Sequence, residues 1–438
     1  MKRIVLEKRR IILIEDSDLL CKLMKAEPNI MKRQRRLYLT DYCLTPVKKI
    51  ERCGILCENE KILAVGGASA FSRDAELEIF ELENAYATPG FIDTHIHGAG
   101  GFDSSTADDQ GSSINNMSKT LAEHGLTSFV STVVSAPVDR MLYNLSILGD
   151  MMKWDLEGAD QIGISLEGPF LNREKCGSQI QNDIRDIDLG LARELISAGK
   201  GFVKKMTFAP ELNDSVRLIE LLRENRILPS MGHSNADEQA TLRAIDAGAT
   251  CCTHLFNGMP PLHQRDIALT AVALTDERVA IELILDGMHL HPRIIDLACR
   301  CKLSDKVIGI SDSTQAAGLK DGKYHIGNSE IYVKDGISRT NSGLLAGTTT
   351  LLDTGWHSLM TFSDMEETKA AACVTLNPAN SLRLNDRGLL QPGKRADLAF
   401  FEKHTNRPLL TVRRGKIVYD ADNRFKGTEN SEQQPQQT

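Results

Sequence analysis

From residue 88 onward, short apolar runs alternate with stretches of helical period. The runs are 91–96, 128–134, 161–166, 202–208, 227–231, 249–253, 279–285 and 306–311. Such runs, apolar at nearly every position, read as strands buried on both faces. Between them lie amphipathic segments such as 214–225 and 235–247, the latter stopped by Gly248. Eight strands, each followed by a helix, predict an α/β chain with a (β/α)8 TIM-type barrel rather than an open sheet. The pattern differs on either side. Runs 36–42, 48–57, 61–66 and 76–81, and again 388–392, 396–401 and 409–419, are short and separated by turns. They predict a small β-sandwich domain built from both chain ends. The stretch 323–340 reads as a hairpin turning at Lys334-Asp335-Gly336, and 344–362 and 365–376 read as helices. The expected layout is therefore a dispensable extension at 1–30, the β domain at 31–87 and 381–422, and the barrel at 88–380. A Gln/Glu/Ser-rich tail at 423–438 is expected to be disordered.

A parallel barrel carries its chemistry where the strands end. The first run ends in His95-Ile96-His97, two imidazoles at i and i+2 that share one strand face. The third ends in Glu167, the fifth in His233, the sixth in His254 and the eighth in Asp312. Glu167, His233 and His254 suit a divalent metal with one position left for water. Zinc is the natural candidate, since it can bring the pKa of a bound water to about 7. Asp312 is then free to carry a proton from that water to a leaving amine. His95 and His97 offer a second metal position with Glu167 as bridge, so one or two ions per subunit are expected. The alternative for Asp312 is a helix cap.

Bulk properties narrow the field. At 438 residues, 41% hydrophobic and 25% charged, the chain has the composition of a globular protein. Its net charge of −7 gives no reason to expect nucleic acid or an anionic membrane as partner. No apolar run approaches the roughly 20 residues that span a bilayer. The ten cysteines form no regular framework, which fits a reducing, cytoplasmic setting. Cys53 with Cys57, and Cys299 with Cys301, lack nearby partner ligands. Residues 1–30 are basic, then apolar at Ile11–Ile14, then acidic, with too short an apolar run for a secretory signal.

Several blocks stand in one order. They are Pro89-Gly-Phe-Ile-Asp-Thr-His-Ile-His-Gly98, Leu166-Glu-Gly-Pro-Phe-Leu-Asn172, Gly232-His-Ser-Asn-Ala236, Thr253-His-Leu-Phe-Asn-Gly-Met-Pro-Pro-Leu-His263, Asp286-Gly-Met-His-Leu-His-Pro292, and Asn377-Pro-Ala379 with Pro392-Gly-Lys-Arg-Ala-Asp-Leu398. Together, over about residues 36–420, they resemble the N-acetylglucosamine-6-phosphate deacetylases of the amidohydrolase superfamily. The resemblance implies metal binding by Glu167, His233 and His254, with Asp312 as general acid and base. It implies a sugar phosphate held by Ser178, Asn257, Gly258, Arg265, His289, Thr350, Leu351 and Leu352. It also implies a homodimer in which part of the phosphate site comes from the neighbouring subunit. Arg265 suits phosphate chemically, because a guanidinium grips it through two hydrogen bonds. Two departures stand out. Gln179 occupies the place of a family His near the scissile amide, and the loop around Arg265 reads His263-Gln-Arg-Asp-Ile-Ala268 rather than the usual His-His-Arg-acid-Pro-Gly. They leave open a related N-acyl amino sugar as substrate, or a non-catalytic sugar-phosphate binder. A third alternative is an amidohydrolase acting on cyclic amides. It would need a carboxylated lysine after the fourth strand, where Lys204 and Lys205 stand too early.

Overall fold

The computed structural model describes residues 3–7, 10–14, 34–72, 77–107 and 111–423. Of the expected extension, two strands are described, Arg3–Glu7 and Arg10–Ile14, paired antiparallel. The remainder of 1–30 and the expected disordered tail from residue 424 lie outside the described residues.

Eight strands form one all-parallel sheet: Phe91–Ile96, Leu126–Val134, Asp160–Glu167, Val203–Phe208, Leu228–Met231, Cys251–Cys252, Ala280–Ile284 and Val307–Ile310, each beside its sequence neighbour. The first and last then meet. Asp312 N–H donates to the His95 carbonyl at 3.0 Å, and His97 N–H donates to the Ser313 carbonyl at 2.9 Å. Asp93 seals the seam below, accepting from the Ser311 backbone N–H at 3.3 Å and from that of His95 at 3.1 Å. Every residue of Phe91–Ile96 and of Leu126–Val134 is buried. That accounts for their unbroken apolar appearance: helices cover the outside while side chains fill the inside. The fifth and sixth strands are shorter than their apolar runs suggest. Both give way early to the turns that carry His233 and His254.

A second sheet has seven strands. Its order is Lys416–Asp420, Pro408–Arg413, Leu398–Glu402, Glu78–Pro89, Arg35–Thr45, Lys48–Glu58 and Lys61–Gly67. Both chain ends contribute, and Glu78–Pro89 runs almost directly into the first barrel strand. The two sheets share an aromatic seam. Phe91 stacks on Phe401 at 5.2 Å between ring centroids, and Trp356 meets Phe91 edge-on at 5.4 Å. Nearby, Arg395, Arg413 and Arg414 converge on Asp160 at 2.8, 2.7 and 3.0 Å. Asp160 opens the third barrel strand, so this ion cluster, buried except at Arg414, fixes the end of the barrel opposite the site.

Three elements differ from the sequence reading. The hairpin is a three-stranded meander, Gly322–Ile326, Ser329–Lys334 and Ile337–Thr340. Its second turn is at Asp335 and Gly336, with φ of 53° and 73°, which suits two adjoining strands. The expected helix over 344–362 begins only at Leu352. The residues before it run beside the end of the eighth strand, where Thr348 N–H donates to the Asp312 carbonyl at 2.8 Å. The segment 388–392 forms no strand.

Candidate active site

The barrel mouth gathers two carboxylates and four imidazoles. Glu167 is the last residue of the third strand. His233, His254 and Asp312 each stand two residues past a strand end, and all three have left-handed backbones, with φ of 47°, 30° and 51°. A non-glycine residue holds such a conformation only where its surroundings enforce it, and such residues cluster at functional sites. The turn swings each side chain inward over the barrel axis.

The groups meet closely. Glu167 Oε1 is 3.0 Å from His233 Nε2, 2.9 Å from His254 Nε2 and 3.5 Å from His95 Nε2. Glu167 Oε2 lies 3.5 Å from His97 Nε2. Asp312 Oδ1 is 3.0 Å from His97 Nε2 and 3.4 Å from His95 Nε2. All six side chains are buried. Burial alone would raise both carboxyls. The imidazoles outweigh it, chiefly His95, His233 and His254 at Glu167 and His97 and His95 at Asp312, so both are held below the usual carboxylate range. Both are anionic at neutral pH, and Asp312 is available to accept a proton.

This arrangement fits a divalent cation. His233 Nε2 and His254 Nε2 are 3.1 Å apart and aimed at one carboxylate oxygen. His95 Nε2 is buried without a hydrogen-bond partner. His233 Nδ1 faces the Lys175 carbonyl at 2.6 Å, and His97 Nδ1 faces the Thr132 carbonyl at 3.3 Å. A carbonyl can only accept, so both rings carry hydrogen on Nδ1 and present the Nε2 lone pair to the site, as metal ligands do. Among the described residues, His95, His97 and Asp312 form one set of three that could hold a metal, and His95, Glu167 and His254 another; His233 adds its Nε2 at the same Glu167 oxygen as His254.

Beside these groups is a cavity of about 150 Å3. Of the sequence-predicted residues, His97, Glu167, Ser178, Gln179, His233, His254, Asn257, Gly258, His289 and Asp312 line it, and His95 lies just beneath. Gln179 is engaged at both ends: its Nε2 donates to Glu167 Oε2 at 3.1 Å, and its Oε1 accepts from Ser135 N–H at 2.9 Å. It thus braces the central carboxylate and keeps one amide hydrogen free. Asn257 donates to the His254 carbonyl at 3.2 Å, holding the strained turn. A side chain at Gly258 (φ 64°) would stand 2.8 Å from His233 Nδ1 and 2.9 Å from the Lys175 carbonyl, so the position admits only glycine. His289 is held by Asp286 at 2.7 Å.

Four predicted residues do not reach the cavity within one chain. Arg265 is exposed on a surface stretch with Leu262 and Ile267, which are 44% and 37% exposed. Leu351 and Leu352 are buried in the barrel core, where their side chains pack against other apolar groups. Thr350 precedes them without lining the cavity. Asp93, on the same strand face as His95, serves the barrel seam instead of the site.

Sequence reasoning missed two features. The meander brings Ile326, and the segment after it brings Leu345 and Gly347, over the cavity. Lys205 was set aside as standing too early, yet its Nζ reaches 3.3 Å from His95 Nδ1 while paired with Glu282 at 2.7 Å. The available signal was a lysine inside a run that is otherwise buried. A larger groove of about 490 Å3, around Cys299, Arg300 and Met365, lies away from both metal-binding groups.

A closed parallel barrel with imidazoles and acids gathered at its C-terminal mouth defines a hydrolase of the metal-binding barrel class. Residues 86–427 match the amidohydrolase family. An N-acetylglucosamine-6-phosphate deacetylase of Bacillus subtilis is 34% identical over 385 residues, 84% of this chain and 96% of the relative. An N-acetylgalactosamine-6-phosphate deacetylase of Escherichia coli O157:H7 is 32% identical over 75% of this chain and 85% of its own. The structure of a Mycobacterium smegmatis N-acetyl-D-glucosamine-6-phosphate deacetylase variant, in complex with N-acetyl-D-glucosamine 6-phosphate, superimposes with a TM-score of 0.82. It is 30% identical, covering 88% of this chain and 99% of that one. The chain belongs to the amidohydrolase family and, within it, to the N-acetylglucosamine-6-phosphate deacetylases.

Proposed function

We infer that the protein removes acetate from N-acetyl-D-glucosamine 6-phosphate to give D-glucosamine 6-phosphate. The observation that carries this is the convergence of Glu167, His233 and His254 on one point, with Asp312 facing it across His95 and His97. We assign Glu167, His233 and His254 as ligands of a divalent metal, zinc by its match to this donor set. His95 and His97 are the ligands of a second. When bound, the ion supplies a water acidic enough to attack at neutral pH and an electrophile for the acetyl carbonyl. Asp312 accepts a proton from the attacking water and returns it to the departing amine nitrogen. Gln179 holds Glu167 in place and lines the cavity proposed to take the acetyl group. His289, Ser178 and the Asn257–Gly258 turn border the sugar.

Phosphate recognition falls to Arg265. Its exposure outside the cavity supports a homodimer in which each site receives this guanidinium from the second copy. Among the described residues no helix is long and apolar enough to cross a membrane, and we assign the enzyme to the cytoplasm on its amino-sugar phosphate substrate.

Acetate release from N-acetylglucosamine 6-phosphate, with the unphosphorylated sugar and the galacto epimer alongside, tests the substrate. Fast turnover is expected for the gluco phosphate alone. Arg265→Ala should raise KM for it by about tenfold to a hundredfold, the value of a hydrogen bond between charged groups, and leave kcat nearly unchanged. Equal loss on the unphosphorylated sugar would remove Arg265 from the phosphate site.

A further inference from the structure

A fully buried ion pair lies directly beneath the site and takes no part in the chemistry above. Lys205 comes from the fourth strand and Glu282 from the seventh. Lys205 Nζ is 2.7 Å from Glu282 Oε1 and 2.9 Å from Oε2, and the Thr94 hydroxyl donates to Oε1 at 2.9 Å. Removing charges from water is costly, so a pair this deep in the barrel calls for a reason beyond stability.

Its outward face meets His95. Lys205 Nζ is 3.3 Å from His95 Nδ1, and Glu282 Oε2 is 3.8 Å from the same nitrogen. His95 therefore differs from His233 and His97, whose Nδ1 atoms face carbonyls that only accept. Beside His95 stand one acceptor and one donor. Hydrogen on Nδ1, directed at Glu282, leaves the Nε2 lone pair open toward Glu167 and Asp312. A Lys205 hydrogen directed at Nδ1 forces the ring hydrogen onto Nε2 and closes that nitrogen to a cation. An ammonium has three hydrogens and no lone pair, and both Glu282 oxygens are placed to engage it.

We propose that Glu282 is a positioning residue for His95. Lys205 is the nearer neighbour of Nδ1 in the structure, but both Glu282 oxygens already hold its ammonium; a small side-chain shift that keeps this pair brings Glu282 Oε2 to the Nδ1 hydrogen and leaves Nε2 available to a divalent cation. Occupancy of the His95–His97 half of the site is thereby set by a charge pair below it, and the Glu167–His233–His254 half is not. The inference rests on the reading of this site as a metal centre, and it is read out by metal content and not by turnover.

The experiment compares zinc content after dialysis, and zinc binding isotherms, for wild type, Glu282→Gln and Lys205→Met/Glu282→Gln, with circular dichroism as the check on folding. Wild type is expected to hold two zinc ions per chain. Glu282→Gln leaves the ammonium facing His95, and the second zinc should bind about 10–100-fold more weakly, the usual effect of losing an outer partner of a ligand histidine. The double variant removes the ammonium too and should recover the second zinc. A merely structural pair would lower thermal stability and the occupancy of both zinc ions together in Glu282→Gln, whereas here the first zinc should bind as in the wild type. Should Glu282→Gln fail to fold, nitrogen-15 spectra of histidine-labelled, zinc-loaded wild type decide the matter, with hydrogen expected on His95 Nδ1. Hydrogen on Nε2, a wild type that never takes a second zinc, an unaffected Glu282→Gln, or a double variant no better than the single would each overturn the proposal. Two zinc ions with this dependence but no acetate release would sustain it and sink the deacetylase reading instead.

Discussion

Asp312→Asn should lower kcat by about 10²–10⁴-fold, the usual contribution of a positioned acid–base group, while the metal proposed at Glu167, His233 and His254 should remain bound. Asparagine keeps the shape of the carboxylate and its reach toward His97, now 3.0 Å from Oδ1. It cannot accept the proton of the attacking water. In the wild type the imidazoles of His97 and His95 overcome the effect of burial and hold the Asp312 carboxyl below its ordinary value, so the acceptor is ready at neutral pH. Steady-state acetate release, paired with elemental analysis of the same preparation, separates the two roles. Near-normal turnover would remove Asp312 as the proton carrier. Loss of the metal with the activity would make it a ligand first.

Glu167→Ala has the larger structural consequence. One carboxylate lies within 3.5 Å of four imidazole nitrogens. Removing it leaves His233 and His254 facing each other at 3.1 Å without an anion between them. The tightly held metal should be lost, and turnover should fall by at least about 10³-fold, because activated water and carbonyl polarisation disappear together. Zinc content per chain is the direct check. A variant that keeps a full complement of tightly bound zinc would show that the histidines alone form the site.

The barrel was legible because its strands are buried on both faces, which leaves unbroken apolar runs such as Leu126–Val134. The site was legible because a barrel confines its chemistry to one rim, so a Glu or His after a run had a place to go. Lys205 was not, since strand position alone does not show how far a long side chain travels: its ammonium crosses the barrel interior to reach Glu282 and His95. Leu351 and Leu352 had been placed against the substrate through the family likeness, but their apolar side chains are drawn into the core. The late start of the helix at Leu352 was hidden because residues 344–346 pair with the last strand of the meander and Thr348 with the loop after the eighth barrel strand, contacts set by tertiary neighbours and not by local propensity. Arg265 is placed at the phosphate by the family likeness and suits it chemically, but within one chain it is exposed and lies outside the cavity.

The measurement that tests the account most directly is acetate release from N-acetylglucosamine 6-phosphate as chelator-stripped protein is titrated with zinc. The stripped protein should be inactive, and activity should rise with added metal until the site at Glu167, His233 and His254 is filled. Full turnover by metal-free protein, or none by zinc-loaded protein, would contradict it.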